Sequence, residues 1–332
     1  MPEALDVLKP AERALLRPGA KAEWRPPMLA TLTDEYFTDP AWIFERKLDG
    51  VRAIVVRDQD SARLYSRNHK PLDSSFPELT DALRTAAPDA MVADGEVVAF
   101  DGQQTSFARL QPRLGLIDPR RARATGVAVH LYLFDLMTLD GFDLAALPLR
   151  ARKRVLRAAV TFGEPIRLSV HRNTDGERYL QQACERGWEG LIAKKADSRY
   201  SPGRSPDWLK FKCVRDQEFV IGGFTDPTGS RVGLGALLVG YYEGDRLRYA
   251  GKVGTGYDHR TLRALRARLE ALETSESPFA DPVREPGSHW VRPELVAQVG
   301  FTEWTPTGRL RHPRFQGLRI DKPPRDVVRE RP

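Results

Sequence analysis

The chain has 332 residues, of which 41% are hydrophobic and 29% are charged, a composition typical of a globular protein with room for two domains. No run approaches the roughly 20 apolar residues that a membrane span needs, and the first residues do not resemble a signal peptide, so we expect a cytoplasmic protein with no membrane partner. The formal net charge of +7 favours a polyanionic partner, such as nucleic acid or polyphosphate. A GC-rich coding sequence would also raise the arginine content.

The sequence contains two cysteines, Cys184 and Cys213, which lie far apart along the chain. So few cysteines exclude a disulfide scaffold and a four-cysteine zinc site. We expect both to be buried, reduced thiols.

Residues 1–26 contain several prolines and no sustained period, and we predict that they form an N-terminal strap over the first domain. Strand-prone runs separated by turns follow. They predict strands at 42–44, 53–57, 61–67, 91–100, 127–136, 188–195 and 208–213. Helical spacing predicts helices at 77–86 and 107–114, a basic helix that begins at Pro148, and a helix at 175–186 that Gly187 caps. The basic stretch 150–154 is predicted to be a solvated face, with a structural salt-bridge role as the alternative.

A charged stretch at 214–217 is the predicted linker between two domains. Beyond it, short strand-like runs at 218–224, 236–242, 247–253, 290–296 and 300–304 are separated by glycine-rich turns. One helix at 259–272, with Asp258 as its N-cap, interrupts them. Five or so short strands and one helix fit a small barrel such as the OB-fold.

Lys47 lies where an extended segment meets a tight turn, in the stretch from Glu45 to Arg52. An ordinary lysine with a pKa of about 10.4 is protonated at neutral pH and is no nucleophile. The nearby cations Arg46 and Arg52, together with partial burial, would lower that pKa, as a nucleophilic lysine requires. Taken alone, this motif also fits a solvated lysine at the end of a strand.

Charged or aromatic side chains recur at predicted strand ends throughout the first domain. A pocket that collects them offers a nucleophilic amine, two carboxylates for a divalent cation, a ring for stacking and two lysines for phosphate. These groups are suited to nucleotidyl transfer. Individually, the ring also fits a core position and the carboxylates fit a solvated surface. The residues are Lys47, Glu96, Phe134, Glu189, Lys210 and Lys212.

Five stretches occur in an order that resembles motifs I, III, IIIa, IV and V of the covalent nucleotidyltransferases, and specifically of ATP-dependent DNA ligases. They are KLDGVR at 47–52, DGE at 94–96, LFD at 133–135, EGLIAK at 189–194 and WLKFK at 208–212. The tail, FTEW at 301–304 with RHPRFQGLRIDK at 311–322, is similar to motif VI of the bacterial end-joining ligases of the ligase D and ligase C group. The resemblance implies an α+β adenylation domain at 27–214 with mixed and antiparallel sheets, followed by an OB-fold domain at 218–332.

The resemblance also implies roles around ATP. Lys47 would attack the α-phosphate and form a lysyl-adenylate. Glu45 would contact the adenine amino group, while Phe134 and Ile192 would sandwich the base. Arg52 and Glu96 would contact the ribose, and Glu189 and Glu96 would bind the metal ion. Lys210 and Lys212 would contact the α-phosphate.

Three further residues match positions that contact other phosphates in the family. Arg67 would take the 5′-phosphate of the nick, and Arg319 and Lys322 would hold the pyrophosphate when the second domain closes over ATP. That closure must reverse before DNA is bound, so the linker near Asp216 is expected to act as a hinge.

The resemblance implies a monomeric, nucleoid-associated enzyme that uses ATP with Mg²⁺ or Mn²⁺. It would seal 3′-hydroxyl/5′-phosphate breaks in nicked or broken duplex DNA during repair, with Ku or another end-joining protein as a candidate partner. We expect either a free-standing ligase or a ligase module of a larger protein. An RNA ligase or an mRNA-capping nucleotidyltransferase is the enzymatic alternative. The alternative of another class is a nucleic-acid-binding protein that has lost catalysis.

Overall fold

The computed structural model describes residues 3–213, 215–227 and 232–330 of the chain. They belong to two units, Met1–Cys213 and Val214–Arg331. Each unit has its own hydrophobic core.

The first unit combines short strands with a few helices. Its strands are β1 (Arg17–Pro18), β2 (Met28–Leu32), β3 (Trp42–Arg46), β4 (Val51–Asp58), β5 (Ser61–Tyr65), β6 (Ala90–Val98), β7 (Phe100–Asp101), β8 (Gln104–Thr105), β9 (His130–Leu139), β10 (Phe142–Asp143), β11 (Ile166–Leu168), β12 (His171–Arg172), β13 (Gly190–Lys195) and β14 (Gly203–Lys212). After a 3-10 helix at Glu3–Val7, its helices are α1 (Pro10–Arg13), α2 (Pro77–Ala86), α3 (Phe107–Leu110), α4 (Pro119–Ala124), α5 (Leu149–Ala159) and α6 (Gly176–Glu185).

The helix predictions are confirmed where the apolar spacing is long. The predicted helix at 77–86 is α2, and the one at 175–186 is α6. Gly187 follows α6 with φ of +68° and its N–H donates to the carbonyl of Cys184 at 3.0 Å, which confirms the predicted cap. The helix predicted at 107–114 is wrong beyond Leu110, where turns replace it.

The strands of the first unit form two main sheets. Sheet A has seven strands in the order β1-β10-β9-β6-β4-β5, with β11 paired in parallel to β9. Sheet B has five strands in the order β12-β3-β13-β14-β2, with β2 parallel to β14. The other pairs in both sheets are antiparallel, so the predicted α+β fold with mixed and antiparallel sheets is confirmed for this unit.

Alternation along β4 determines how these sheets pack. Val51 and Val55 enter a core shared with α2 and α5, whereas Ile54 and Val56 point to the opposite face of sheet A. There they join Trp208 of β14 in a second core, which therefore lies between the two sheets. The outer face of sheet B packs against α6.

A β-bulge in β9 sets the direction of Phe134. Leu133 pairs with Gly95 and Asp135 pairs with Asp94, so Phe134 is an extra residue without a partner position in the ladder. The ring of Phe134 consequently enters the core between the sheets, while Leu133 remains in the other core. Regular alternation left the face of Phe134 ambiguous because the sequence pattern does not reveal the bulge.

The beginning of the chain is attached to the first unit. Leu5 and Leu8 are buried in the core shared with α2 and α5, and β1 pairs with β10 at the edge of sheet A. Glu12 accepts a hydrogen bond of 2.6 Å from Arg154 of α5. Burial and side-chain bonding thus both hold this segment in place.

The prediction of two buried, reduced thiols is wrong. Cys184 and Cys213 form a disulfide bond with a Cα–Cα distance of 5.3 Å, and Cys184 is exposed. The last turn of α6 lies beside the end of β14, which brings together residues that are 29 positions apart in sequence. Sequence separation alone gave no sign of this contact.

The second unit is mainly antiparallel sheet. Its strands are β15 (Arg215–Thr225), β16 (Leu237–Glu243), β17 (Arg246–Val253), β18 (Glu273–Thr274), β19 (Ser288–Phe301), β20 (Glu303–Trp304), β21 (Leu310–Arg311) and β22 (Arg314–Arg319). The main sheet has the order β17-β16-β15-β19-β18, with β22 paired to β19. Helix α7 (His259–Glu270) begins at Asp258, whose carboxylate accepts from the N–H of Thr261 at 2.6 Å, as predicted for an N-cap, and a 3-10 helix spans Pro324–Asp326. Neither α7 nor any other helix in the described part of the chain is long and apolar enough to cross a membrane.

Two predictions for the second unit are wrong. Asp216 belongs to β15 and pairs with Gly300, so 215–217 are part of a strand and not a linker; Val214 lies outside the described residues. That the chain near Asp216 acts as a hinge stays a prediction. The strands predicted at 290–296 and 300–304 are largely one strand, β19. The register of β15 against β19 shifts in the region of Pro293, and a bulge tolerates a proline that a regular ladder excludes.

Candidate active site

Lys47 lies where the chain crosses from sheet B to sheet A, directly after β3 and before β4. Its backbone N–H donates to the carbonyl of Gly190 at 2.9 Å, and its ammonium pairs with Oε1 of Glu189. The two side chains are 18% and 15% exposed. The amine is therefore positioned by sheet B and remains accessible from solvent.

The glycine beside Glu189 is required by the backbone. Gly190 has φ of +145°, a conformation that residues with a side chain rarely adopt. A Cβ atom here would lie 1.9 Å from the carbonyl oxygen of Phe211 on the neighbouring strand. Because Gly190 has no Cβ, β13 can approach β14 closely at this point. Gly190 pairs with Lys212 in the ladder.

Sheet B presents a row of site residues on one face. Ile192 pairs with Glu45 on one side and with Lys210 on the other. Residues directly opposite in a ladder have Cβ atoms about 4.5–5.5 Å apart. Lys212 lies two residues further along β14 than Lys210, so both lysines share one face, as predicted, and that face also carries Trp208 of the core between the sheets.

Sheet A contributes Arg52, which pairs in the ladder with Glu96. The guanidinium of Arg52 also forms two hydrogen bonds of 2.5 Å with the fully buried carboxylate of Asp94. Burial alone would lower the pKa of Arg52, but the charge of Asp94 outweighs it and raises that pKa. The hydroxyl of Tyr200 donates to Asp94 at 2.6 Å, so this ion pair is held from two sides.

The ring of Phe134 lies among cations. The guanidinium carbon of Arg52 is 4.7 Å from the ring centroid, and the ammonium of Lys194 is 4.2 Å from it. Such contacts are favourable because the face of an aromatic ring is electron-rich. Phe134 therefore contacts Arg52 and Lys194 as well as the core between the sheets.

Glu45 is the centre of a buried network. It is 2% exposed, and its carboxylate accepts from Lys153 at 2.7 Å, from Lys194 at 3.0 Å and from the hydroxyl of Ser169 at 3.0 Å. Burial would raise the pKa of Glu45, but the two ammonium groups outweigh it and lower the pKa to about 2. Glu45 is thus ionised at neutral pH although water is excluded.

Lys194 experiences the reverse balance. Burial lowers its pKa, Lys153 lowers it further and Glu45 opposes them, with a net pKa of about 8. The resemblance assigned Glu45 to the adenine amino group but did not predict that Lys153 and Lys194 bind its carboxylate. Lys194 is the last residue of the EGLIAK stretch, so only its position two residues after Ile192 on an alternating strand indicated that it faces the site.

The prediction that 150–154 form a solvated face is wrong, and the structural alternative is confirmed for two of its residues. Arg152 is fully buried and donates two hydrogen bonds, of 2.7 and 2.9 Å, to Asp135 of β9. Lys153 is 6% exposed and also donates to the carbonyl of Phe134 at 3.2 Å. The carbonyl belongs to the bulge residue, and the acidic partners Asp135 and Glu45 lie on strands that are remote in sequence from α5. The local sequence therefore did not reveal that Arg152 and Lys153 are buried.

The three residues predicted to bind other phosphates belong to elements other than those that carry this cluster. Arg67 is half-buried in the turn that follows β5. In the second unit, Arg319 pairs with Asp321 at 2.8 Å and Lys322 pairs with Glu218 at 2.9 Å.

The predicted metal ligands lie on separate elements, Glu96 on β6 and Glu189 immediately before β13. Within the described residues, no group of three or more His, Cys, Asp or Glu side chains gathers at a metal site. Mg²⁺ is commonly bound through one or two carboxylates and keeps water or phosphate oxygens as its other ligands. The carboxylate chemistry of these two residues fits an ion whose coordination is completed by phosphate.

Models of two protein families match most of the chain. The ATP dependent DNA ligase domain matches residues 27–212, and the ATP dependent DNA ligase C terminal region matches residues 230–322. The first match includes the sheet crossing at Lys47 and the strands that carry the buried network around Glu45. The second includes Arg319 and Lys322.

Curated relatives and a solved structure agree with these matches. The chain is 38% identical to the multifunctional non-homologous end joining protein LigD of Pseudomonas aeruginosa, covering 99% of this chain and 39% of the relative, and 40% identical to LigD of Mycobacterium bovis, covering 92% and 40%. It thus spans about 40% of the length of these relatives. A structure of mycobacterial DNA ligase D complexed with ATP and MES is 36% identical, with a TM-score of 0.66 and coverage of 92% of this chain and 98% of that one. The chain belongs to the ATP-dependent DNA ligase family.

Proposed function

We propose that this chain seals nicks between a 3′-hydroxyl and a 5′-phosphate in duplex DNA through an AMP carried on Lys47. The observation that carries the proposal is the position of Lys47. Its amine is half-buried at the crossing of two sheets and is held by Glu189, while Lys210 and Lys212 lie on the same face of sheet B.

In the first step, the ammonium of Lys47 gives up a proton, to the paired carboxylate of Glu189 or to solvent, and its Nζ lone pair attacks the α-phosphorus of ATP. A phosphorus–nitrogen bond forms, the bond to the β-phosphate breaks, and pyrophosphate leaves. Negative charge grows on the α-phosphate as this happens, so cations fixed beside it lower the barrier. Lys210 and Lys212 are suited to this role because a lysine supplies a mobile point charge.

Recognition of adenine is assigned to Glu45, Phe134 and Ile192. An ionised carboxylate offers about four acceptor positions, and the network around Glu45 uses three of them. The fourth can accept from the adenine amino group, whereas the carbonyl of guanine at that position would be repelled. Phe134 on sheet A and Ile192 on sheet B supply apolar surface from two sides of the space.

The ribose and the phosphates are assigned to the neighbouring polar residues. Arg52 and Glu96 are opposite each other in the ladder of sheet A and can hold the ribose hydroxyls together. Glu189, assisted by Glu96, would hold the Mg²⁺ or Mn²⁺ that the family implies, whose chemistry is to neutralise charge on phosphate oxygens. Glu189 also orients Lys47, and Asp94 orients Arg52, before the nucleotide arrives.

The later steps use DNA. The AMP moves from Lys47 to the 5′-phosphate of the nick, which Arg67 would bind, and the 3′-hydroxyl then displaces AMP. Arg319 and Lys322 would hold pyrophosphate in the first step. For that role they must exchange Asp321 and Glu218 for phosphate oxygens.

We also infer that the second unit is an OB-fold that begins with β15, and that it follows an adenylation domain that starts at 27 after a strap at 1–26. Consecutive pairs link β17 to β16, β16 to β15, β15 to β19 and β19 to β22. A parallel bridge between Thr255 and Arg314, with a 2.9 Å bond from the N–H of Phe315 to the carbonyl of Thr255, joins the end of β17 to β22. This sequence of neighbours, with α7 between β17 and β19, supports a closed five-stranded barrel.

End joining is the proposed cellular role, because the named relatives are end-joining proteins. The substrate would be nicked or broken duplex DNA, bound by a monomer, with Ku or another end-joining protein as a recruiting partner. The net charge of +7 supports a polyanionic substrate.

The proposal is tested with ATP labelled at the α-phosphate, Mg²⁺ and denaturing electrophoresis. We expect the wild type to retain label and Lys47→Ala to retain none. Lys195→Ala is the matched control, since Lys195 is half-buried on β13 but outside the site, and it should label like the wild type. Equal labelling of Lys47→Ala, or labelling by GTP in place of ATP, contradicts the proposal. Sealing of a nicked DNA duplex, compared with nicked RNA, then identifies the acceptor.

A further inference from the structure

A cavity of about 280 Å³ lies between α5 and the segment that connects β11 to β12. We call it the basic groove. Four of its lining residues are cationic and none is acidic; the cations are Arg150, Lys153, Arg154 and Arg157. Ligation as proposed above uses none of their charges for substrate. The groove is therefore a second concentration of positive charge in the first unit.

Two of these charges are not neutralised by carboxylates. Arg150 donates to the side-chain oxygen of Asn173 and, at 3.3 Å, to the carbonyl of Pro40, both of which are uncharged. Arg157 is exposed and takes part in none of the ion pairs found among the described residues. Arg154, in contrast, is paired with Glu12, and Lys153 is paired with Glu45.

The backbone of α5 sets the spacing of the four cationic residues. Residues 150, 153, 154 and 157 recur at intervals of three and four, so they share one face of α5. Opposite them, His171 is half-buried, and its pKa is lowered to about 4, first by burial and then by the charge of Lys153, with Arg150 adding to the effect and Glu45 opposing it. His171 thus senses the positive potential of the groove.

We propose that the basic groove binds phosphate groups, either of a small polyphosphate or of a nucleic-acid backbone. Guanidinium groups match phosphate oxygens with paired hydrogen bonds, and the rigid helix sets their spacing in advance. The volume approaches the lower end of small-molecule sites, about 300 Å³. Lys153 lines the groove and also bonds Glu45, so a bound phosphate would reach the adenine-recognition residue through one ammonium. This binding does not depend on ligation.

His171 provides a local measurement. The chain has six histidines, so ring-labelled histidine gives a resolvable NMR spectrum. We expect added inorganic pyrophosphate to raise the pKa of His171 by about one unit, because a nearby anion favours the charged imidazole. The double variant Arg150→Gln/Arg157→Gln should lose at least half of that rise. Arg260→Gln/Arg263→Gln, two exposed arginines on α7, removes the same charge elsewhere and should leave it unchanged.

The two phosphate sources are separated by repeating the titration with a short single-stranded DNA. A rise with pyrophosphate alone identifies a small-anion site, and a rise with the oligonucleotide identifies a backbone site. The groove variant keeps Lys47, Lys210 and Lys212, so any response from phosphate bound there persists in it. An equal rise in the groove variant, or no rise with either ligand, overturns the proposal. Unchanged signals from the other histidines show that the variants are folded.

Discussion

Glu45 and Lys47 lie two residues apart and are both held by ion pairs, yet their surroundings differ. The side chains of Glu45, Lys153 and Lys194 are 3%, 6% and 2% exposed, whereas those of Lys47 and Glu189 are 18% and 15% exposed. An ion pair without water is costly to break, while a pair that water reaches from one side exchanges partners with a smaller loss. The difference fits the roles proposed for them, in which Glu45 is a fixed recognition group and Lys47 is a reactive group that changes partners.

The largest effect should follow from opening the buried network. Lys153→Met leaves Glu45 with one cationic partner and leaves the carbonyls of Phe134 and Ser169 without the ammonium that donates to them. We therefore expect the free energy of unfolding to fall by about 3–5 kcal/mol. Denaturant titration measures it. Lys195→Met, at a half-buried lysine outside the network, should change it by about 0.5 kcal/mol or less. Similar losses in both variants would mean that the network is not special.

Removal of the disulfide should lower the free energy of unfolding nearly as much. The disulfide lies near Glu189, the partner of Lys47 in this comparison. Cys213 follows Lys212, and its N–H donates to the carbonyl of Glu189 at 3.0 Å. The bond closes a loop of 29 residues, for which chain entropy predicts about 3–4 kcal/mol of stabilisation. Cys184→Ser should lose that amount in non-reducing denaturant titration. With a reductant present, the wild type should fall to the level of the variant; a wild type unaffected by reductant contradicts the prediction.

The pH dependence of the unfolding free energy tests whether Glu45 is held ionised. Because the folded pKa of Glu45 is about 2 and its ordinary value is 4.5, the carboxylate stabilises the fold fully above pH 4.5 and loses this contribution as the pH falls toward 2. The shift corresponds to roughly 3 kcal/mol. The difference in unfolding free energy between wild type and Glu45→Gln should therefore shrink between pH 5 and pH 3. A difference that stays constant would show that Glu45 is not held ionised.

The smallest effect on stability should come from Glu189→Gln. We expect the partly exposed pair with Lys47 to contribute less to folding than the buried network does, about 1 kcal/mol. Loss of the carboxylate that orients the amine should nevertheless slow lysyl-AMP formation by about 10²-fold. Labelling reactions stopped at successive times give the rate of lysyl-AMP formation. Denaturant titration gives the free energy of unfolding. A stability loss as large as that of Lys153→Met would erase the distinction between the two pairs.

Much of the first unit was predictable from the sequence because its signals are local. The helix α2 and the cap at Gly187 follow from apolar spacing and from glycine in a left-handed conformation. The common face of Lys210 and Lys212 follows from strand alternation. Resemblance to a family supplied the roles of the site residues, which periodicity does not contain.

The remaining features depend on contacts between distant segments. The bulge at Phe134 exists only relative to the register of β6, and Lys153 is buried because carboxylate and carbonyl partners arrive from other strands. The same reason applies to the disulfide. The misplaced linker near Asp216 has a different cause, because charge suggested a loop where pairing with β19 makes a strand.

The disulfide also changes how the chain responds to cleavage. Arg199 is exposed between β13 and β14, inside the loop that Cys184 and Cys213 close. A trypsin cut after Arg199 would leave two fragments joined by sulfur, so the nicked protein would migrate as one species until it is reduced. Glu189, which precedes β13, and Lys210 and Lys212 of β14 would stay in one covalent assembly even when the peptide chain between the two strands is broken.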